Sequence, residues 1–127
     1  MERAELYRYK ALLEKKYEEL KQTVQKREGI TIERAADIID ELQSVVERER
    51  AITTLDRFTR QLREVEAALS RIREGTFGYC VECEEPISVT RLKAVPWASL
   101  CLRCQQAADA RDVEQHRPLL GLVGRAA

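Results

Sequence analysis

The chain has 127 residues, enough for one small domain or a small domain with an appended segment. Its 22 basic and 22 acidic side chains cancel, which argues against general binding of polyanions, since such proteins usually carry a basic excess. No apolar run reaches the roughly 20 residues of a membrane helix, and the charged N-terminal stretch does not resemble a signal peptide. We therefore expect a cytoplasmic protein without membrane contact, in which cysteines stay reduced.

The first 74 residues predict long helices. Residues 2–74 contain no proline and a single glycine, Gly29, and they are rich in Glu, Arg, Lys, Leu and Ala, which are strong helix formers. Leucines recur at heptad spacing at Leu6, Leu13 and Leu20, a pattern typical of a coiled coil. One continuous helix is the simplest interpretation.

Gly29 favours a different interpretation, in which the helix is interrupted. The next four residues at the same heptad position as these leucines are charged; they are Arg27, Arg34, Glu41 and Arg48. Glycine suits the left-handed position just past a helix end, and Thr31 is an acceptable N-cap for a new helix. We therefore predict an antiparallel coiled-coil hairpin with helix 1 near 3–28, a turn near 29–31 and helix 2 near 32–74.

The position of this turn fixes which residues face each other. It would bring Val24 near Ile38 and Leu6 near Leu55. Helix 2 would then extend beyond the start of helix 1, and its apolar residues from Phe58 onward would need cover from elsewhere in the chain.

A second region, residues 75–127, begins where Gly75 ends helix 2. It is predicted to hold a small cysteine module and then a short amphipathic helix, which reaches about His116 and is ended by Pro118. Together with the hairpin over 1–74, this gives an all-α fold.

All four cysteines lie in this second region, with the spacing Cys80-x2-Cys83-x17-Cys101-x2-Cys104. Each CxxC pair lets two thiolates converge on one ion, and a linker of roughly 15–20 residues brings the second pair to its other side. Four sulfur ligands suit a tetrahedral Zn²⁺ with no open position, which is a structural site and not a catalytic one. Free core cysteines, two disulfides or an iron–sulfur cluster are the alternatives.

The cysteine region resembles the DksA/TraR family of four-cysteine zinc-finger proteins. The matching elements are Phe77-Gly78-Tyr79-Cys80, Ile87, Arg91-Leu92, Ala94, Pro96, Cys101 and Cys104-Gln105. The resemblance implies a helical hairpin ahead of the zinc finger and a regulator that binds bacterial RNA polymerase directly, with no direct DNA binding. In such proteins the hairpin enters the secondary channel of the polymerase, acidic residues at its tip approach the active site, and initiation changes, often together with ppGpp.

The resemblance also implies which residues face the polymerase. The family pattern at the tip is Asp-x-x-Asp-x-Ala, and its best match here spans residues 30–35. Ile30 replaces the first aspartate, Glu33 replaces the second, and Ala35 matches. The implied polymerase-facing tip, near 29–33, therefore consists of Ile30, Glu33, Arg34 and Ala35.

Two further departures concern the cysteine region. Glu84 stands where the family usually has glycine after the second cysteine. Positions that are basic in the family for ppGpp hold Val95 and Gln105, so ppGpp is a possible partner but we expect no strong binding at a family-type site.

Two other functions are consistent with the sequence. One is a nucleic-acid-binding zinc module that uses Arg91, Lys93 and Arg103, and the other is a structural coiled-coil and zinc adaptor protein. We expect no enzyme and no catalytic residues, because the chain has one histidine, His116, and no Gly-rich phosphate loop.

Overall fold

The computed structural model describes residues 1–37 and 42–125, without the side chains of 31–37, 42–44 and 115–125. Its helices are α1 (Arg3–Asp37), α2 (Leu42–Glu74), α3 (Val89–Ala94) and α4 (Leu102–Arg125). The described residues form no strand, and their one β-type pairing is an antiparallel bridge between Tyr79 and Pro86. The predicted all-α fold is therefore confirmed. The chain divides into two units, Met1–Phe77 and Gly78–Ala127.

The first unit is an antiparallel hairpin of α1 and α2. Leu6 and Ile72 line one small cavity, whereas Ile30 and Glu47 line a groove much further along both helices. The two arms are almost equal in length, with 35 and 33 residues. Both helices contribute to the buried core, which includes Leu13, Leu20, Val24, Val65 and Ala68.

The chain reverses later than the sequence suggested. α1 continues through Gly29 to Asp37, and α2 begins at Leu42. The predicted end of helix 1 at 28, the turn near 29–31 with its tip near 29–33, and the start of helix 2 at 32 are therefore wrong. The residues between the two helices, 38–41, lie outside the described part of the chain. A glycine inside a helix costs about 1 kcal/mol relative to alanine, which a helix paired along its length can tolerate.

Arg27, a charged residue at the heptad position of the leucines, is compatible with helix pairing. The guanidinium carbon of Arg27 lies 4.8 Å from the ring centroid of Phe58 in α2. This is a cation–π contact, which is favourable for arginine over an aromatic face. Arg27 therefore contacts the opposite helix, and its charge does not indicate the end of α1.

The later reversal changes the predicted pairing across the hairpin. Leu6 lies near Ile72 and not near Leu55, and the predicted partner of Val24, Ile38, lies outside the described residues. Because the arms are nearly equal, α2 does not outrun α1. The apolar residues in the second half of α2, such as Val65 and Ala68, are buried within the hairpin unit.

The end of α2 agrees with the prediction. Gly75 has a φ of 81°, a left-handed conformation that glycine adopts without steric cost. The N–H of Thr76 donates to the carbonyl of Arg71 at 2.9 Å, which closes the helix end. Phe77 is buried and its ring lies 5.3 Å from that of Tyr9 in α1, so the hairpin unit extends slightly past the predicted boundary at 74.

Gly29→Ala is expected to stabilise the hairpin by about 0.5–1 kcal/mol, because alanine removes the entropic cost of a helical glycine. A Cβ added at Gly29 would meet no atom within 4 Å. Urea unfolding followed by circular dichroism measures the change. Gly75→Ala is the matched control and should destabilise, since its backbone is left-handed although its surroundings are equally open. Destabilisation by Gly29→Ala would instead support a turn at Gly29.

The second unit contains α3, α4 and a small core. Cys80, Ile87, Leu92 and Ala98 are its buried apolar residues among those described. α4 continues past Pro118 to Arg125, so the predicted helix end near His116 is wrong. Proline costs a helix one N–H donor, but the leucines that follow Pro118 favour helix. No helix within the described residues is long and apolar enough to cross a bilayer.

Candidate metal centre

The second unit, called the zinc module below (residues 78–127), brings the four cysteine sulfurs together. Their Sγ atoms all lie within 4.8 Å of one another, and those of Cys83 and Cys101 are 3.8 Å apart. Four sulfurs at about 2.3 Å from a tetrahedral Zn²⁺ are separated by about 3.8 Å. None of the four forms a disulfide. The donor set and its geometry fit one zinc ion with a closed coordination sphere.

Each CxxC segment is closed by a hydrogen bond from a backbone N–H to the carbonyl four residues earlier. The N–H of Glu84 donates to the carbonyl of Cys80 at 3.0 Å, and the N–H of Gln105 donates to that of Cys101 at 2.9 Å. In the second segment the N–H of Cys104 also points to the Cys101 sulfur, 3.5 Å away. These turns direct backbone N–H groups toward sulfur, which stabilises the thiolate form that binds metal.

The electrostatics of the four thiols follow from this arrangement. Burial alone would raise the pKa of Cys80, but hydrogen bonds from the backbone N–H groups of Cys83, Cys101 and Glu82 lower it to about 6. Hydrogen bonds with the sulfurs of Cys101 and Cys80, together with burial, raise the pKa of Cys104 to about 12. Thiolates this close repel one another, and a divalent cation would remove that repulsion and bind all four deprotonated.

Glu84 adopts a backbone conformation that side chains disfavour. Its φ is 62°, in the left-handed region that costs an ordinary residue about 1–2 kcal/mol. The chain turns back at this residue, and the carbonyl of the next residue, Glu85, accepts from the N–H of Cys80 at 2.8 Å. The departure from glycine noted in the sequence therefore has a physical cost, although the Glu84 side chain itself is exposed.

Glu84→Gly is expected to stabilise the zinc module by about 0.5–1 kcal/mol, because relief of the left-handed strain exceeds the entropic cost of glycine. Guanidinium unfolding of the zinc-loaded protein, followed by Trp97 fluorescence, measures the change. Glu85→Gly is the control, since Glu85 is also exposed but does not have a positive φ. Equal effects of the two substitutions would contradict strain at Glu84.

Two of the three cations that could bind nucleic acid are engaged within the module. Arg91 Nε donates to the carbonyl of Leu100 at 2.9 Å, and a hydrogen bond with the Cys83 sulfur raises the pKa of Arg103. Of the three cations proposed for nucleic-acid binding, Lys93 alone is exposed without such a described contact. The hydrogen bond of Arg91 to Leu100 was not predicted, because it joins residues nine positions apart and depends on the fold of the module.

The predicted tip residues lie on a helix. Ile30 is 42% exposed, and Glu33, Arg34 and Ala35 follow within α1, close to its end at Asp37. The side chains of these last three lie outside the described part. The structure therefore places the family-like segment 30–35 just before the reversal of the chain, and not in it.

Comparisons with known proteins agree with this architecture. A family model described as the prokaryotic dksA/traR C4-type zinc finger matches residues 75–110. The RNA polymerase-binding transcription factor DksA of Caulobacter vibrioides (strain NA1000 / CB15N) is 34% identical over 80 residues, covering 63% of this chain and 56% of the relative. The protein of the same name from Escherichia coli (strain K12) is 28% identical over 115 residues, covering 88% and 76%.

A solved structure extends the likeness to the fold. Transcription factor DksA2 from Pseudomonas aeruginosa superimposes with a TM-score of 0.73 at 26% identity, covering 88% of each chain. The zinc-finger match and the sulfur geometry together confirm the predicted structural zinc. The Caulobacter relative is matched over little more than half of its length.

Proposed function

The chain belongs to the DksA/TraR family of four-cysteine zinc-finger proteins, and from that premise we propose that it binds bacterial RNA polymerase and regulates transcription initiation. One observation carries the proposal. The fold of this chain matches that of the solved transcription factor DksA2 over 88% of both chains, with a TM-score of 0.73. The sequence relatives are named for binding RNA polymerase.

In this proposal the end of the hairpin enters the secondary channel of the polymerase. A two-helix projection is narrow enough for a channel, and its end is acidic. Five carboxylates lie between residues 33 and 47, against one cation, Arg34; they are Glu33, Asp37, Asp40, Glu41 and Glu47. Such a segment suits a basic protein surface or a site that holds Mg²⁺ better than it suits DNA. Ile30, Glu33, Arg34 and Ala35 would face the polymerase, with Glu33 as the effector carboxylate.

The zinc module would act as a structural element. We propose Cys80, Cys83, Cys101 and Cys104 as the ligands, because their sulfurs converge. Four protein ligands leave zinc no position for substrate, so the protein would act by binding and not by catalysis. Since the polymerase and reduced thiols belong to the cytoplasm, the protein would act there.

Strong binding of ppGpp at a family-type site is not expected. Val95 is apolar and half-buried, and the Gln105 side chain donates to the Asp109 carboxylate at 3.0 Å. Neither side chain offers a cation to a phosphate.

Affinity capture with bacterial core RNA polymerase at physiological salt tests the proposal. The wild-type protein is expected to retain the polymerase, and in vitro transcription should respond to it. Glu33→Ala should bind equally well but lose most of this effect, and Ile30→Asp should increase it. Glu18→Ala is the control, because Glu18 is an exposed carboxylate on the same helix, distant from the reversal.

Two outcomes would count against the proposal at different levels. Failure to retain polymerase would exclude polymerase binding itself. Wild-type transcription by both Glu33→Ala and Ile30→Asp, with binding intact, would exclude segment 30–35 as the effector.

A further inference from the structure

The two residues before Cys101, at the start of the second CxxC segment, each accept a hydrogen bond through the backbone carbonyl. The carbonyl of Ser99 accepts from the backbone N–H of Val81, in the first CxxC segment, at 2.9 Å. The carbonyl of Leu100, directly before Cys101, accepts from Nε of Arg91 at 2.9 Å. The first link is made by the backbone, so the second is the one that a change of side chain can remove.

The donor side chain is held in place from its own helix. The backbone N–H of Arg91 donates to Oγ of Ser88, the N-cap of α3, at 3.2 Å. Its carbonyl accepts from the N–H of Val95 at 2.8 Å, and the next residue, Leu92, is 1% exposed. The backbone of Arg91 is therefore fixed on both sides, and its half-buried side chain reaches Leu100 from a rigid support.

We propose that Arg91 is a positioning residue for the zinc site, which fixes the Leu100–Cys101 peptide and so aims the Cys101 sulfur without touching the metal. Cys101 is the residue through which this acts, because its sulfur lies 3.8 Å from that of Cys83 and also accepts the N–H of Cys104. Loss of the Arg91 contact would leave the half-buried Leu100 carbonyl without this donor. The ligands Cys101 and Cys104 would then be held less firmly.

A different role for the same residue has to be separated from this one. Four thiolates around Zn²⁺ carry a net charge of about −2, so any nearby cation would favour the loaded site. Lys93 lies on the same short helix as Arg91 but is exposed. Replacing either residue with methionine removes one positive charge, whereas only replacement of Arg91 removes the hydrogen bond.

The rate of zinc release from the full-length, zinc-loaded protein to a chromophoric chelator tests the proposal. Arg91→Met and Arg91→Lys are both expected to release zinc at least about tenfold faster than wild type, since groups that orient metal ligands typically contribute 10–100-fold to affinity. Arg91→Lys keeps the charge but has a methylene where Nε lies. Lys93→Met should stay within about twofold of wild type.

The outcomes separate the two roles. A wild-type rate for Arg91→Lys, or equal acceleration by Arg91→Met and Lys93→Met, would overturn the positioning role. Should Arg91→Met fail to fold, Arg91→Lys decides, and the visible spectrum of its Co²⁺-substituted form should show a distorted tetrathiolate site. An unchanged Co²⁺ spectrum together with an unchanged release rate would also overturn it. These measurements need no polymerase, so they are independent of the proposed function.

Discussion

Cys101→Ser is expected to unfold the zinc module while the hairpin of α1 and α2 stays folded. Structural zinc in small domains supplies on the order of 10–16 kcal/mol of apparent folding energy, and a serine hydroxyl does not replace a thiolate ligand. The core of the module among the described residues consists of four buried side chains, one of which is the ligand Cys80. Such a core is too small to hold the segment without metal.

The hairpin should survive because its own core does not depend on the metal. Its buried residues, from Leu13 to Ala68, all lie in the unit Met1–Phe77. Circular dichroism should therefore retain most of its helical signal in Cys101→Ser. Trp97, the single tryptophan of the chain, lies in the zinc module and is half-buried. Its emission should shift to that of a solvated indole, and bound zinc should be lost.

Leu102→Ser provides the matched control. Leu102 is the neighbour of Cys101 in the same CxxC segment, and it is 59% exposed. This variant should keep one equivalent of zinc and wild-type Trp97 emission. A chelator added to the wild-type protein should reproduce the state of Cys101→Ser. Stoichiometric zinc and unchanged emission in Cys101→Ser would exclude a folding role for the four-sulfur site.

The zinc site was predictable because its constraint is local and covalent. Two CxxC pairs can place four sulfurs around one ion whatever the rest of the fold does, so the spacing from Cys80 to Cys104 was sufficient. The helix end at Gly75 was equally local. No heptad pattern resumes after it, and its left-handed φ closes the helix.

The register of the hairpin was not predictable by the same means. Gly29 and Gly75 are both candidate helix ends, but helix formers flank Gly29 on both sides. Pairing of the two helices outweighs the cost of a glycine inside a helix, which is about 1 kcal/mol. A heptad repeat presents the same pattern every seven residues, so two helices can pair almost equally well after a shift of whole heptads. Only the position of the reversal selects one register. Arg27 misled the prediction because its contact with Phe58 is invisible until that register is known.

Leu13→Ala is expected to destabilise the hairpin by about 2–5 kcal/mol, the range for removal of a fully buried leucine. Leu13 has no exposed surface, and Val65 and Ala68 in α2 are equally buried. The register that places Leu6 near Ile72 also places Leu13 opposite these residues. A close-packed core cannot collapse fully into the space that the side chain leaves. Urea unfolding followed by circular dichroism measures the loss, which is large relative to the stability of a small domain.

Leu12→Ala makes the same chemical change one residue away and serves as the control. Leu12 is 54% exposed on the same helix, so its replacement should change stability by no more than about 0.5 kcal/mol. The difference in stability between the two variants tests the register directly, since it requires Leu13, and not Leu12, to face α2. Equal destabilisation by both substitutions would contradict the described register, in which Leu13 is buried and Leu12 is exposed.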